Sequence, residues 1–262
     1  MVLMRNKRKD IILNDISFSY SDKTVFESLS AVFKKGKLTS LIGPNGSGKT
    51  TLLKIICGIH NFLKGDILLG NSSIGTLGIK EKSAIISSVF SSDFSAKPIT
   101  VEEFVLLSRF PLKKGFMFSK EDHDYKDIAL KRCKIENLSN KLLNHLSAGE
   151  LQLALLAGCI AKNSDIIIMD EPVSHLDISH AFNIYSILRA EADSGKTVIT
   201  SVHDINTAIR YSDMITAMKD FSIFFSGSPE IFLKNNIAAK LYKIDFKRIN
   251  HSASSSNYLF PA

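Results

Sequence analysis

No apolar run in this chain approaches the roughly eighteen residues needed to cross a bilayer. The opening residues, Met1 to Asp10, lack the apolar stretch and small-residue cleavage site of a secretory signal. The expectation is a chain that stays in the cytoplasm and meets a membrane only through a partner. Cysteine is sparse. Cys57, Cys133 and Cys159 are odd in number and share no metal-ligand spacing, so they are expected to be buried free thiols. There is no zinc-finger spacing, no aromatic-basic RNA motif and no internal repeat. The net charge of +7 comes from scattered Lys and Arg, apart from a cluster at Arg5, Lys7, Arg8 and Lys9. It reads as a solvated basic surface, with no nucleic-acid partner expected.

What is present is globular chain. A hydrophobic content of 45% over 262 residues allows a substantial core, in one large domain or one domain with an insert. Residues 11–20 and 29–34 alternate apolar and polar positions, with Ile12, Asn14, Ile16, Phe18 and Tyr20 in one phase, as half-buried antiparallel strands do. Leu38–Ile42 runs apolar into a glycine loop, and Lys49–Cys57 reads as the helix after it, stopped at Gly58. From about 94 to 145 the patterns turn helical. Thr100 and Glu103 form a capping box before a stripe of Val101, Phe104, Val105 and Ser108, and Tyr125, Ile128, Ala129 and Cys133 share a second helix face. Strand and helix then alternate again: a strand at 166–169, a helix from about 178 to 193, a strand at 197–201, a helix after Asp204 and short strands near 215–225. Ser252–Ser256 reads as a loop. The order implies an α/β protein: a mainly parallel sheet covered by helices, an antiparallel β subdomain and an inserted helical subdomain.

Gly43-Pro44-Asn45-Gly46-Ser47-Gly48-Lys49-Thr50, followed by Thr51, is a phosphate loop in its confirming context, strand before and helix after. Its glycines let backbone N–H groups converge on phosphates, and the helix directs its positive end there. Lys49 suits the β- and γ-phosphates of a nucleotide, and Thr50 suits Mg2+. Asp170 and Glu171 end an apolar strand, where a parallel sheet presents ligand groups. Asp170 fits the surroundings of Mg2+, and Glu171 can polarise a water for in-line attack. His203, at the end of the following strand, is either a structural histidine or a hydrogen-bond donor to the γ-phosphate; position alone leaves both open. Leu146-Ser147-Ala148-Gly149-Glu150 precedes a helix read from Glu150 to about Ala161. Packing explains its leucines, 151, 153, 155 and 156, but not the Ser-Ala-Gly before them, which offers N–H groups and a hydroxyl to an anion from outside the subunit.

In this order the motifs resemble the nucleotide-binding subunits of ATP-binding cassette (ABC) transporters, over essentially the whole chain, 1–262. GPNGSGKT resembles Walker A, LSAGE the signature, IIIMDEP Walker B, Ser174-His-Leu-Asp177 the D-loop, and His203 the switch histidine. The resemblance implies a P-loop NTPase (RecA-like) core, an ATPase with ATP and Mg2+, and a tail extension from about 229 to 262. It assigns Glu171, His203 and Lys49 to catalysis and Ser147, Gly149, Glu150 and Asp177 to nucleotide contact across a dimer. Tyr20 fits the aromatic that stacks on adenine, although strand spacing equally allows an inward-packing residue. Implied partners are transmembrane permease subunits at the cytoplasmic face of the membrane, a second nucleotide-binding subunit and, indirectly, an extracytoplasmic substrate-binding protein. The tail, with Pro229-Glu-Ile-Phe, Leu241–Lys247 and Phe260-Pro261, is similar to that of importers of iron-siderophore, haem and cobalamin complexes. Alternatives are a soluble ABC ATPase of iron–sulfur assembly and a low-turnover regulatory module. Two departures motivate the latter: Ser91 stands at the Q-loop glutamine position that contacts Mg2+, and Ala148 replaces a signature glycine; Leu151 also stands where an arginine is common, and Phe221-Ser222 where a glycine turn usually lies.

Overall fold

The computed structural model describes residues 10–21, 23–90, 98–113, 115–251 and 256–261. They divide into two units, one running to Leu77 and resuming at Ala192, the other spanning Gly78–Glu191. Among the described residues no helix is long and apolar enough to cross a membrane.

The first unit begins with β1 (Ile11–Tyr20) and β2 (Lys23–Phe33), paired antiparallel. The inward residues of β1 are Ile11, Leu13, Ile16 and Phe18, not one even-numbered series. A bulge is the reason: Asp15 takes a φ of 49° and the register shifts between Leu13 and Ile16, so both keep the buried face across a three-residue step. Strand β3 (Leu38–Ile42) is buried at all five positions and leads through the glycine loop into α1 (Lys49–Ile56), which Cys57 caps. Cys57 is only half-buried, unlike the other two thiols. Strands β4 (Lys64–Leu69) and β5 (Ser72–Ser73) complete an antiparallel sheet of order β2-β1-β4-β5.

The second unit contains α2 (Ile79–Ile85), β6 (Ile86–Val89), α3 (Val101–Leu107), α4 (Lys120–Cys133), α5 (Ala148–Lys162), β7 (Ile166–Met169) and most of α6 (Ile178–Asp193). Helices α3 and α4 both pack on α5, and β6 lies parallel to β7. Three of these helices start at reciprocal capping boxes, Thr100 with Glu103, Ser119 with Asp122 and Ser147 with Glu150.

Asp122 also reaches inward. Its carboxylate accepts from Arg109 Nε at 2.6 Å, Arg109 Nη1 donates to Ala161 O at 2.6 Å, and the guanidinium covers the Tyr125 ring at 4.2 Å. Burial pushes the Asp122 carboxyl up, but hydrogen bonds from Ser119 and the Arg109 charge outweigh it and hold the pKa below its ordinary value. The contribution of this carboxylate is therefore present above an unfolded value near 3.8 and is lost as pH falls below it. Asp122→Ala strands a buried guanidinium, and we expect a loss of about 3–5 kcal/mol in a denaturant titration.

Returning to the first unit, the chain forms β8 (Thr197–Ser201), α7 (Ile205–Tyr211), β9 (Met214–Lys219), β10 (Ser222–Gly227), α8 (Pro229–Lys234), α9 (Ile237–Tyr242), β11 (Phe246–His251) and β12 (Ser256–Pro261). Strand β3 sits between β8 and β9, parallel to both, and β10 pairs antiparallel on the outside of β9. The tail is tied back by Asn206, whose side chain exchanges two hydrogen bonds with the Leu259 backbone, at 3.0 and 2.8 Å.

Candidate functional site

The phosphate loop leaves the C-terminal end of β3, the strand flanked on both sides, so its backbone is fixed by the centre of a parallel arrangement. Gly43, Gly46 and Gly48 take φ values of 150°, 78° and 98°, a region that favours glycine. Pro44 is half-buried and Asn45 exposed. Lys49 is 6% exposed, and its ammonium donates to Gly43 O at 2.8 Å and Pro44 O at 3.1 Å. Ser47 Oγ is buried with no hydrogen-bond partner. A buried ammonium, an orphaned hydroxyl and the start of α1 fit a polyphosphate, whose oxygens accept from all three. Thr50 and Thr51 are half-buried in the first turn of α1.

Tyr20 ends β1 and is 45% exposed. Its hydroxyl meets His60 Nε2 at 3.0 Å and Thr51 Oγ1 at 3.4 Å, and the His60 ring stacks on Phe18. Tyr20 is thus not an inward-packing strand residue. His60 is held below its ordinary pKa first by burial and then by Lys54, which favours the neutral imidazole beside Tyr20. Nothing local in the sequence marks His60; its partner lies forty residues away along the chain. His203 lies two residues past the end of β8, exposed, just before the α7 cap Asp204.

In the second unit, Asp170 and Glu171 follow β7. Asp170 is 8% exposed and its amide donates to Val89 O at 2.9 Å. Glu171 has a φ of 50°, a strained conformation for this residue, of the kind that collects at functional sites. Its carboxylate accepts from Ser174 Oγ at 3.0 Å, a contact that sequence patterns did not signal. Asp177, exposed, binds the backbone N–H and Nδ1 of His180 at 2.9 and 2.7 Å. His180 also covers the signature turn: a β-carbon on Gly149 would lie 2.4 Å from its ring.

The helix after the signature starts at Ala148, two residues earlier than its leucine pattern indicates, because Ser147 closes the capping box with Glu150. Ser147 Oγ accepts from Glu150 N at 3.3 Å, and its hydroxyl also bonds the Glu150 carboxylate. The Glu150 carboxyl is held low, first by the Ser147 N–H. Ala148 is exposed at the first helical position, and Leu151 is half-buried. The Q-loop position, Ser91, lies outside the described residues, as do the basic cluster at residues 5–9 and most of the serine loop. The second unit also carries an open cavity of about 530 Å3, lined by Phe90, Phe104, Leu107, Phe110 and Cys159 among others. Among the described residues no group of three or more His, Cys, Asp or Glu side chains could hold a metal ion.

Comparison with known proteins agrees with this chemistry. Residues 26–174 match the family model described as ABC transporter. The chain is 35% identical over 231 residues to the petrobactin import ATP-binding protein YclP of Bacillus subtilis, covering 88% of this chain and 91% of that one. Its fold is similar to a metal-chelate type ABC transporter solved in an inward-facing conformation, with a TM-score of 0.81 at 24% identity, covering 97% and 98% of the two chains. It is also similar to a dimeric ATP-binding cassette in a post-hydrolysis state bound to ADP and Pi, with a TM-score of 0.74 at 27% identity, covering 84% and 98%.

Proposed function

This chain belongs to the ABC transporter family, and from that premise we propose that it is the ATP-hydrolysing subunit of an importer of iron or another metal chelate. The similarity to a petrobactin import subunit over 88% of the chain carries the cargo class. It favours import over soluble cofactor assembly, because the match spans most of the chain and is not confined to the ATPase motifs. A regulatory module without turnover is disfavoured by the retention of Lys49, Asp170, Glu171 and His203.

In this reading Lys49 and the backbone amides of Gly46, Ser47 and Gly48 bind the β- and γ-phosphates, and Tyr20 takes the adenine. Glu171, oriented by Ser174, accepts the proton of the attacking water, and His203 donates to the γ-phosphate. Thr50 and Asp170 would hold Mg2+, which would supply charge neutralisation at the phosphates. Ser147 and Gly149 complete the site of a second copy, and Asp177 contributes across the same dimer. The apolar cavity, with half-exposed Leu107 and Phe110 at its wall, suits a permease segment on the cytoplasmic side of the membrane. A substrate-binding protein outside the membrane would deliver the chelate.

Uptake of radiolabelled iron chelates by cells lacking this subunit tests the proposal. Parent protein is expected to restore uptake and Glu171→Gln is expected not to. Unchanged iron-chelate, haem and cobalamin uptake after deletion would contradict it.

A further inference from the structure

The turn between β9 and β10 has two residues, Asp220 and Phe221, bracketed by the paired Lys219 and Ser222. Both have positive φ, 46° and 60°, the pattern of the type I′ turn, whose second position strongly prefers glycine. A bulky aromatic there is an outlier, and nothing in the hairpin pairing calls for it. The ring lies beside the phosphate loop. A β-carbon on Gly48 would lie 2.9 Å from Phe26 Cε1 and 3.4 Å from Phe221 Cδ1, so both rings crowd the side of this α1-capping glycine that a side chain would occupy. Phe26 is fully buried in β2, whereas Phe221 is half-buried at the tip of a two-residue loop. The strained backbone is thus the condition for a second ring at this point.

We propose that Phe221 is a positioning residue for the nucleotide: its ring packs beside Phe26 over Gly48 and holds the N-terminus of α1 in the conformation that receives phosphates. The inference rests on the ATP-binding reading. Gly48 has a φ of 98°, no side chain of its own to cap α1, and a carbonyl that accepts from Leu52 N at 2.9 Å, so the rings packed beside it add to a hydrogen bond that already starts the helix. Removing one wall loosens the amides on which the phosphates depend, whereas Glu171 and His203, which lie on other elements, are untouched.

Four variants separate ring from backbone. Phe221→Gly removes the ring and relieves the strain; Phe221→Ala removes the ring and keeps the strain; Phe221→Tyr keeps the ring; Lys49→Ala tests nucleotide binding itself. We expect the Gly and Ala variants to bind MgATP equally weakly, about three- to tenfold worse than the parent, the scale of one lost aromatic contact. The Ala variant should melt below the Gly variant, and the Tyr variant should bind like the parent. Turnover at saturating ATP should stay within about twofold, since binding and not chemistry is affected. Parent-like affinity in Phe221→Gly would overturn the proposal. So would affinity that follows melting temperature, with the Ala variant weaker than the Gly variant, because that marks a purely structural residue. If one of the two fails to fold, the folded one still decides on affinity. Absence of MgATP binding in the parent, or binding that survives Lys49→Ala, would instead sink the ATP-binding reading.

Discussion

Replacing Glu171 by Gln is expected to lower ATP turnover by at least about a hundredfold while leaving MgATP binding within a few-fold of the parent. A positioned general base contributes about 10²–10⁴ in rate, and the substitution removes basicity with almost no change in shape. The amide oxygen of Gln can still accept from Ser174 Oγ, which reaches the carboxylate at 3.0 Å, so the side chain stays placed. The backbone strain at φ 50° is the same for both residues, so no change in fold stability is expected from it. Binding that survives while hydrolysis stops should accumulate an ATP-bound dimer, visible as a doubled mass in light scattering with ATP and not with ADP. Turnover unchanged in this variant would remove Glu171 from the role assigned to it.

Lys49→Ala is expected to act on the other step. The ammonium is 6% exposed and is held by two loop carbonyls, which carry only partial charge. Truncating one partner of a desolvated charge pair costs about 2–5 kcal/mol of binding, which corresponds to an affinity loss of about thirtyfold or more. Calorimetric titration with MgATP should show that loss. The fold should persist, because β3 and α1 are packed through Leu38, Leu41, Leu52, Leu53, Ile55 and Ile56, not through the lysine. Together the two variants separate binding from chemistry.

How legible the molecule is depends on the range of the interaction involved. Strand β7 could be read to the residue, because four consecutive apolar positions end at two carboxylates. The capping box at Thr100 marked α3 for the same local reason. Strand β6 could not be read. It spans four residues, and two are serines; Ser87 is buried by bonding to Ser164 Oγ and Cys159 O, partners more than seventy residues away. Strand β1 was legible as a strand but not in phase, since the bulge at Asp15 leaves no mark in apolar alternation. At the site, residue types and spacing pointed to the phosphate loop and the carboxylates, and the family resemblance to the signature. The contacts that orient them are long-range or depend on the folded turn, and include His60 on Tyr20, Ser174 on Glu171, His180 over Gly149 and Phe221 on Gly48. No periodicity encodes a ring closing on a glycine from another element.

The central claim is that Ser147 and Gly149 of one copy complete the ATP site of another, and a mixing experiment tests it most directly. Lys49→Ala loses the phosphate loop's function. Ser147→Glu sets a negative charge where the signature would meet a phosphate. Each variant alone contains no intact site if the site is shared, and none if it is not. Mixing separates the cases. In a two-fold dimer with shared sites, a mixed pair joins the intact loop of one variant to the intact signature of the other. ATP hydrolysis should then recover to at most about a quarter of the parent rate, since half the dimers are mixed and each has one of two sites. A mixture as inactive as its separate components would contradict the shared site.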